Sequence, residues 1–97
     1  MKEFQTGQTD LLFKAICSIE SPEECFAFFK DLCTVREIQD MAQRFATAFQ
    51  LNRGKNYAEI TAELGVSSAT IVRVNNCLKY GDGGYRSIMA KMEDNAK

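Results

Sequence analysis

At 97 residues the chain has room for one hydrophobic core, so residues 1–97 are expected to form a single domain. Apolar residues supply 45% and charged residues 26%, with apolar runs of only a few residues, which excludes a disordered or membrane-spanning chain. The net charge is −1, but residues 1–48 hold five Lys or Arg against eight Asp or Glu, whereas residues 53–91 hold six cations against three anions.

The leading segment, Met1 to Asp10, lacks the apolar centre of an export signal, so the cytoplasm is the expected compartment and no membrane partner is expected. Cys17, Cys25, Cys33 and Cys77 show no Cys-x-x-Cys spacing, and histidine is absent. Neither a metal site nor a cofactor is expected, and the thiols read as small buried hydrophobes, with a redox switch as the alternative.

From Thr9 to Ile19, Leu12, Ala15, Ile16 and Ile19 form a helical stripe that Leu11, Phe13 and Cys17 widen beyond one face. Ser21-Pro22-Glu23-Glu24 starts a second helix, with serine as N-cap, proline at the first position and Glu24 closing a capping box. Its apolar residues, Cys25, Phe26, Phe28, Phe29, Leu32 and Cys33, again exceed a single stripe. Surfaces this broad predict self-association, with a compact monomeric bundle as the alternative.

Thr34-Val35-Arg36-Glu37 is another capping box, and Val35, Ile38, Met41, Ala42, Phe45, Ala48 and Phe49 keep the helical period up to Gly54. This is the longest helix, roughly nineteen residues or about 28 Å, and the expected spine of the fold. Asn56 with Glu59 caps a short helix that has Ile60 and Leu64 on its apolar edge and that turns at Gly65, where a side chain would clash. Ser67 caps the next helix, whose Ile71, Val74 and Leu78 face inward and which Gly81 ends. After the glycine-rich loop 81–84, Tyr85, Ile88, Met89 and Met92 mark a last helix before a polar tail. The chain is therefore expected to be all-α, with about six helices and a helix-turn-helix at about residues 57–79.

The outward residues of the second motif helix are Ser68, Ala69, Val72, Arg73 and Asn76, mostly small with one cation and one amide. That composition suits a helix laid against base edges in the major groove of double-stranded DNA. Arg53, Lys55 and Lys79 are the candidate phosphate contacts, which position a protein without reading sequence. No histidine and no acid pair stands out from helix surface, so an enzyme is not expected. A helical protein-interaction module anchored by Val72, without DNA binding, is the alternative.

Arg53-Gly54, Glu59, Glu63-Leu64-Gly65, Ala69-Thr70-Ile71, Arg73, and Asn76 with Leu78-Lys79 resemble the Trp repressor family, and the whole chain is similar to its Trp-repressor-like YerC/YecD branch. The resemblance implies an intertwined helical homodimer that binds palindromic operators, a sequence-specific transcriptional regulator acting as a repressor under a small-molecule effector. The family's two effector-sandwiching arginines match Arg44 and Arg73, with surface pairing to acids such as Asp40 as the alternative, and its pocket threonines match Thr34 and Thr70. Two positions depart. The family's small glycine after the recognition-helix arginine is Val74, and its ammonium-holding serine is Cys77. A branched side chain occupies space an indole needs, and a thiol is a weak hydrogen-bonding group, so the expected effector is not tryptophan. A different small ligand and no ligand both stay open.

Overall fold

The computed structural model describes residues 6–95, which form six helices and no strand: α1 (Gly7–Cys17), α2 (Pro22–Leu32), α3 (Val35–Asn52), α4 (Tyr57–Leu64), α5 (Ser68–Tyr80) and α6 (Gly84–Asn95). The start of the leading segment and the end of the polar tail lie outside the described residues. The all-α expectation holds, and each boundary has a local cause. Helix α1 begins two residues earlier than the apolar stripe suggests, because Thr6 and Thr9 cap each other: Thr9 N–H donates to Thr6 Oγ1 at 3.2 Å and Thr6 N–H donates to Thr9 Oγ1 at 2.7 Å. In α2 the Ser21 hydroxyl accepts from Glu24 N–H at 3.0 Å, but the Glu24 carboxylate accepts from Glu20 N–H instead of Ser21 N–H. The box expected there is therefore half formed, with its second arm moved one residue upstream. The boxes at Thr34/Glu37 and Asn56/Glu59 both close. Helix α3 has 18 residues, one short of the expected length.

The chain divides into two compact units, Met1–Ile38 and Gln39–Lys97. The first contains α1 and α2. Neither helix has a buried residue: Leu12, Ala15, Ile16 and Ile19 are half-buried, whereas Leu11 is 70% exposed and Phe26 63% exposed. The Phe28 and Phe29 rings meet edge to face at 5.6 Å, which fills part of one side of α2, whereas Phe26 stays mostly exposed with the Lys30 ammonium 5.6 Å from its ring centre.

The second unit has a true core. Ile60, Val66 and Ile71 are buried together, with Leu51 and Leu64 packed against them, so the corner between α4 and α5 is locked to the end of α3. Burying an aliphatic side chain of this size stabilises by about 1.5–3 kcal/mol, and three of them at one corner fix the direction of α5. Val74, Leu78, Ala48 and Met89 extend the core along α5, α3 and α6. The Thr47 side chain, fully buried in α3, donates its hydroxyl to the Gln43 carbonyl at 2.8 Å and so carries no unsatisfied group into the core.

Gly65 has φ 69° and ψ 20°, the left-handed conformation that L side chains resist. A Cβ there would meet nothing within 4 Å, so the expected clash with neighbours does not exist and backbone conformation alone selects glycine. Gly81 differs. It ends α5 in extended backbone (φ −82°, ψ −157°), and there a Cβ would run into the Cys77 carbonyl oxygen.

Candidate nucleic-acid interface

Helix α5 is held from beneath and from its start. Ile71, Val74 and Leu78 are buried, the Ser67 hydroxyl accepts from Thr70 N–H at 3.2 Å, and Asn75 Nδ2 donates to the Tyr57 hydroxyl at 3.1 Å, joining the helix to the first turn of α4. Beyond its last turn, Arg86 Nε of α6 donates to the Leu78 carbonyl at 3.1 Å. A helix so anchored presents its opposite side rigidly. On that side Ser68, Ala69, Val72, Arg73, Asn76 and Lys79 are all exposed, with Val72 at 45%. Thus all five residues expected to face bases lie on the open side of α5.

The three expected phosphate contacts have different surroundings. Lys79 is exposed near the end of α5. Arg53 is exposed at the end of α3, with its guanidinium 5.7 Å from the centre of the Phe49 ring, a cation–π contact that holds the side chain without consuming its charge. Lys55, in the α3–α4 loop, has its Nζ 3.0 Å from Oε1 of Glu63 in the last turn of α4, so its charge is already partly neutralised. A pair this exposed contributes only about 0–1 kcal/mol and can be opened by a phosphate.

Arg44, Thr70 and Arg73 line one cleft of about 220 Å³ between α3 and α5, together with Asp40 and Gln43. Gln43 was not singled out in the sequence, and Asp40 only as a possible ion-pair partner of the two arginines, although Asp40, Gln43 and Arg44 share one face of α3 at three- and four-residue spacing. Val74 and Cys77 do not line this cleft, and Thr34 belongs to the first unit. Thr34 is engaged at the start of α3, where its hydroxyl accepts from Glu37 N–H and donates to Glu37 Oε1 at 3.2 Å. Val74 is buried in the core beneath α5. Cys77 lines a different, mainly apolar cleft of about 570 Å³ with Phe45, Tyr85 and Ile88. All four cysteines are free thiols, with Cys17 and Cys77 exposed and Cys25 and Cys33 half-buried, so the expectation of buried thiols is not met at any of them.

Among the described residues no group of three or more His, Cys, Asp or Glu side chains is placed to hold a metal ion, and no helix is long and apolar enough to cross a membrane.

Residues 7–93 match the family model described as Trp repressor protein. A relative from Bacillus subtilis (strain 168), "Uncharacterized protein YerC", is 44% identical over 87 residues that span 90% of this chain and 84% of the relative. Two solved structures superpose with TM-scores of 0.90. One is "Crystal structure of a putative Trp repressor from Staphylococcus aureus", 43% identical and aligned over 94% of this chain and 91% of that one. The other is a "TrpR like protein from Eubacterium eligens ATCC 27750", 37% identical over 94% of both chains. With the helix-turn-helix and the family match spanning nearly all of its described residues, the chain belongs to the Trp repressor family.

Proposed function

We propose that this protein is a sequence-specific DNA-binding transcriptional regulator, a repressor that acts in the cytoplasm as a homodimer on a palindromic operator. The observation that carries the reading is α5 itself: its inner face is locked into the corner core, and its outer face offers Ser68, Ala69, Val72, Arg73 and Asn76 to solvent. Small and amide side chains there admit close approach to base edges, and Arg53, Lys55 and Lys79 supply the cations that hold a phosphate backbone. Membership of the Trp repressor family supports the regulatory role.

The homodimer is supported by α1 and α2, which contain no fully buried residue while exposing Leu11, Phe13, Phe26 and Leu32. Apolar surface of that extent is the mark of an interface, and a second copy is its economical cover. In this account the 97 residues act as one domain per subunit, and the two-fold axis sets two copies of α5 one DNA turn apart, about 34 Å.

Control by an effector is supported by the cleft that gathers Arg44, Thr70 and Arg73. Its lining of Asp40, Gln43, Arg44, Thr70 and Arg73 is polar and suits a small polar ligand, and it is Val74 and Cys77, where the family has glycine and serine, that weigh against tryptophan.

In vitro selection from a random duplex pool, repeated with and without a mixture of amino acids and metabolites, tests the reading. A recovered palindrome is the expected result, and a yield that changes with the mixture identifies the switch. No enrichment under either condition overturns the regulator and leaves the α4–α5 corner as a protein-docking module.

A further inference from the structure

The outer face of α5 has a neutral centre. Successive helical residues advance about 100° around the axis, so with Ser68 at zero, Val72 lies near 40°, Asn76 near 80°, Ala69 near 100° and Arg73 near 140°. The buried Ile71, Val74 and Leu78 fall between about 240° and 300°, and the direction pointing away from them passes between Asn76 and Ala69. Arg73 and Val72 stand about equally far from that direction on opposite sides of it, Arg73 on the side where it and Thr70 line the cleft with Arg44. Lys79, the other cation, is less than two turns beyond Arg73, close to the end of the helix. What stands farthest from the core is the Ala69 methyl and the Asn76 amide, neither charged, with the Val72 isopropyl group flanking them on one side and Arg73 on the other.

An apolar side chain in the major groove has one apolar partner on the base edges, the C5 methyl group of thymine. Val72 is the largest apolar group on this stripe and is 45% exposed, so it has surface to lose against such a methyl, and Ala69 borders it one turn earlier. We propose that Val72, flanked by Ala69, reads a thymine in each operator half-site through the C5 methyl group. This rests on the DNA-binding reading above and assigns part of its specificity to apolar contact rather than to Arg73.

The test places the perturbation in the DNA, where protein folding is not at stake. In a duplex enriched by the selection experiment, each half-site thymidine is replaced in turn by deoxyuridine, which removes one methyl and leaves pairing and charge intact. Dissociation constants are then measured for the native chain and for Val72→Ala. Loss of one buried methyl corresponds to roughly a four-fold weaker complex, expected at one or two positions only. Val72→Ala should weaken binding to the thymidine duplex, and deoxyuridine at those positions should cost the variant little more, because both changes remove the same contact. Deoxyuridine duplexes that all bind as tightly as the parent overturn the proposal while DNA binding stands. So does a deoxyuridine penalty of equal size in both proteins, which assigns the methyl to another side chain. Failure of the native chain to bind any duplex overturns both readings.

Discussion

Replacing Gly65 by alanine isolates the backbone requirement at the corner between α4 and α5. The residue sits at φ 69°, and an added Cβ would meet no atom within 4 Å. The cost therefore comes from the left-handed conformation itself, about 1–2 kcal/mol for an ordinary L residue, with no packing penalty to add. For a chain of this size that corresponds to a fall in Tm of about 4–16 °C. Far-UV circular dichroism melts at one fixed protein concentration measure it, since an oligomer's Tm moves with concentration. Gly65→Asn serves as the companion variant, because asparagine tolerates the left-handed region better, and it should recover part of the loss. Gly65→Ala melting together with the native chain, or Gly65→Asn proving worse than Gly65→Ala, would refute the assignment of this glycine to conformation.

The other predictions concern surfaces. Arg73→Ala should weaken operator binding by about 1–3 kcal/mol in a fluorescence-anisotropy titration and leave the melt unchanged, since Arg73 is exposed; an unchanged Kd contradicts its placement at the interface. Phe26→Asp should convert dimer to monomer in sedimentation experiments. If each copy buries that ring in the dimer, losing about 1.5–3 kcal/mol per copy weakens association roughly 10²- to 10⁴-fold, and a variant that stays dimeric would place the interface elsewhere. Asn56→Ala removes the side-chain acceptor of Glu59 N–H and should cost about 1 kcal/mol of stability; a cost below a few tenths would mean that solvent replaces the cap.

Local chemistry was legible in the sequence. The pairs Thr34/Glu37 and Asn56/Glu59 announce their helices because cap and partner are three residues apart, and the spacing of Ile71, Val74 and Leu78 gives the buried side of α5 directly. The Thr6/Thr9 cap was not, because a threonine at the third position lacks the acidic signal. Contacts between distant segments were equally hidden. Tyr57 and Asn75 are 18 residues apart, and nothing in either neighbourhood marks them as a pair. Asp40 and Gln43 are two polar residues among many on α3, and only the approach of α5 makes them the wall of a cleft. In α6 the apolar stripe was readable, yet only Met89 is buried, while Ile88 and Met92 are exposed. Periodicity identifies an apolar face without saying what covers it.

The salt dependence of binding to a selected palindrome shows whether this face of the protein holds DNA. Two reading heads, each with Arg53, Lys79 and, if Glu63 releases it, Lys55, would neutralise about four to six phosphates. The slope of log K against log salt should then lie between about −3.6 and −5.4, a loss of roughly 10²- to 10³-fold between 50 and 200 mM salt. A slope near zero would contradict DNA binding through this face and point instead to an apolar protein contact.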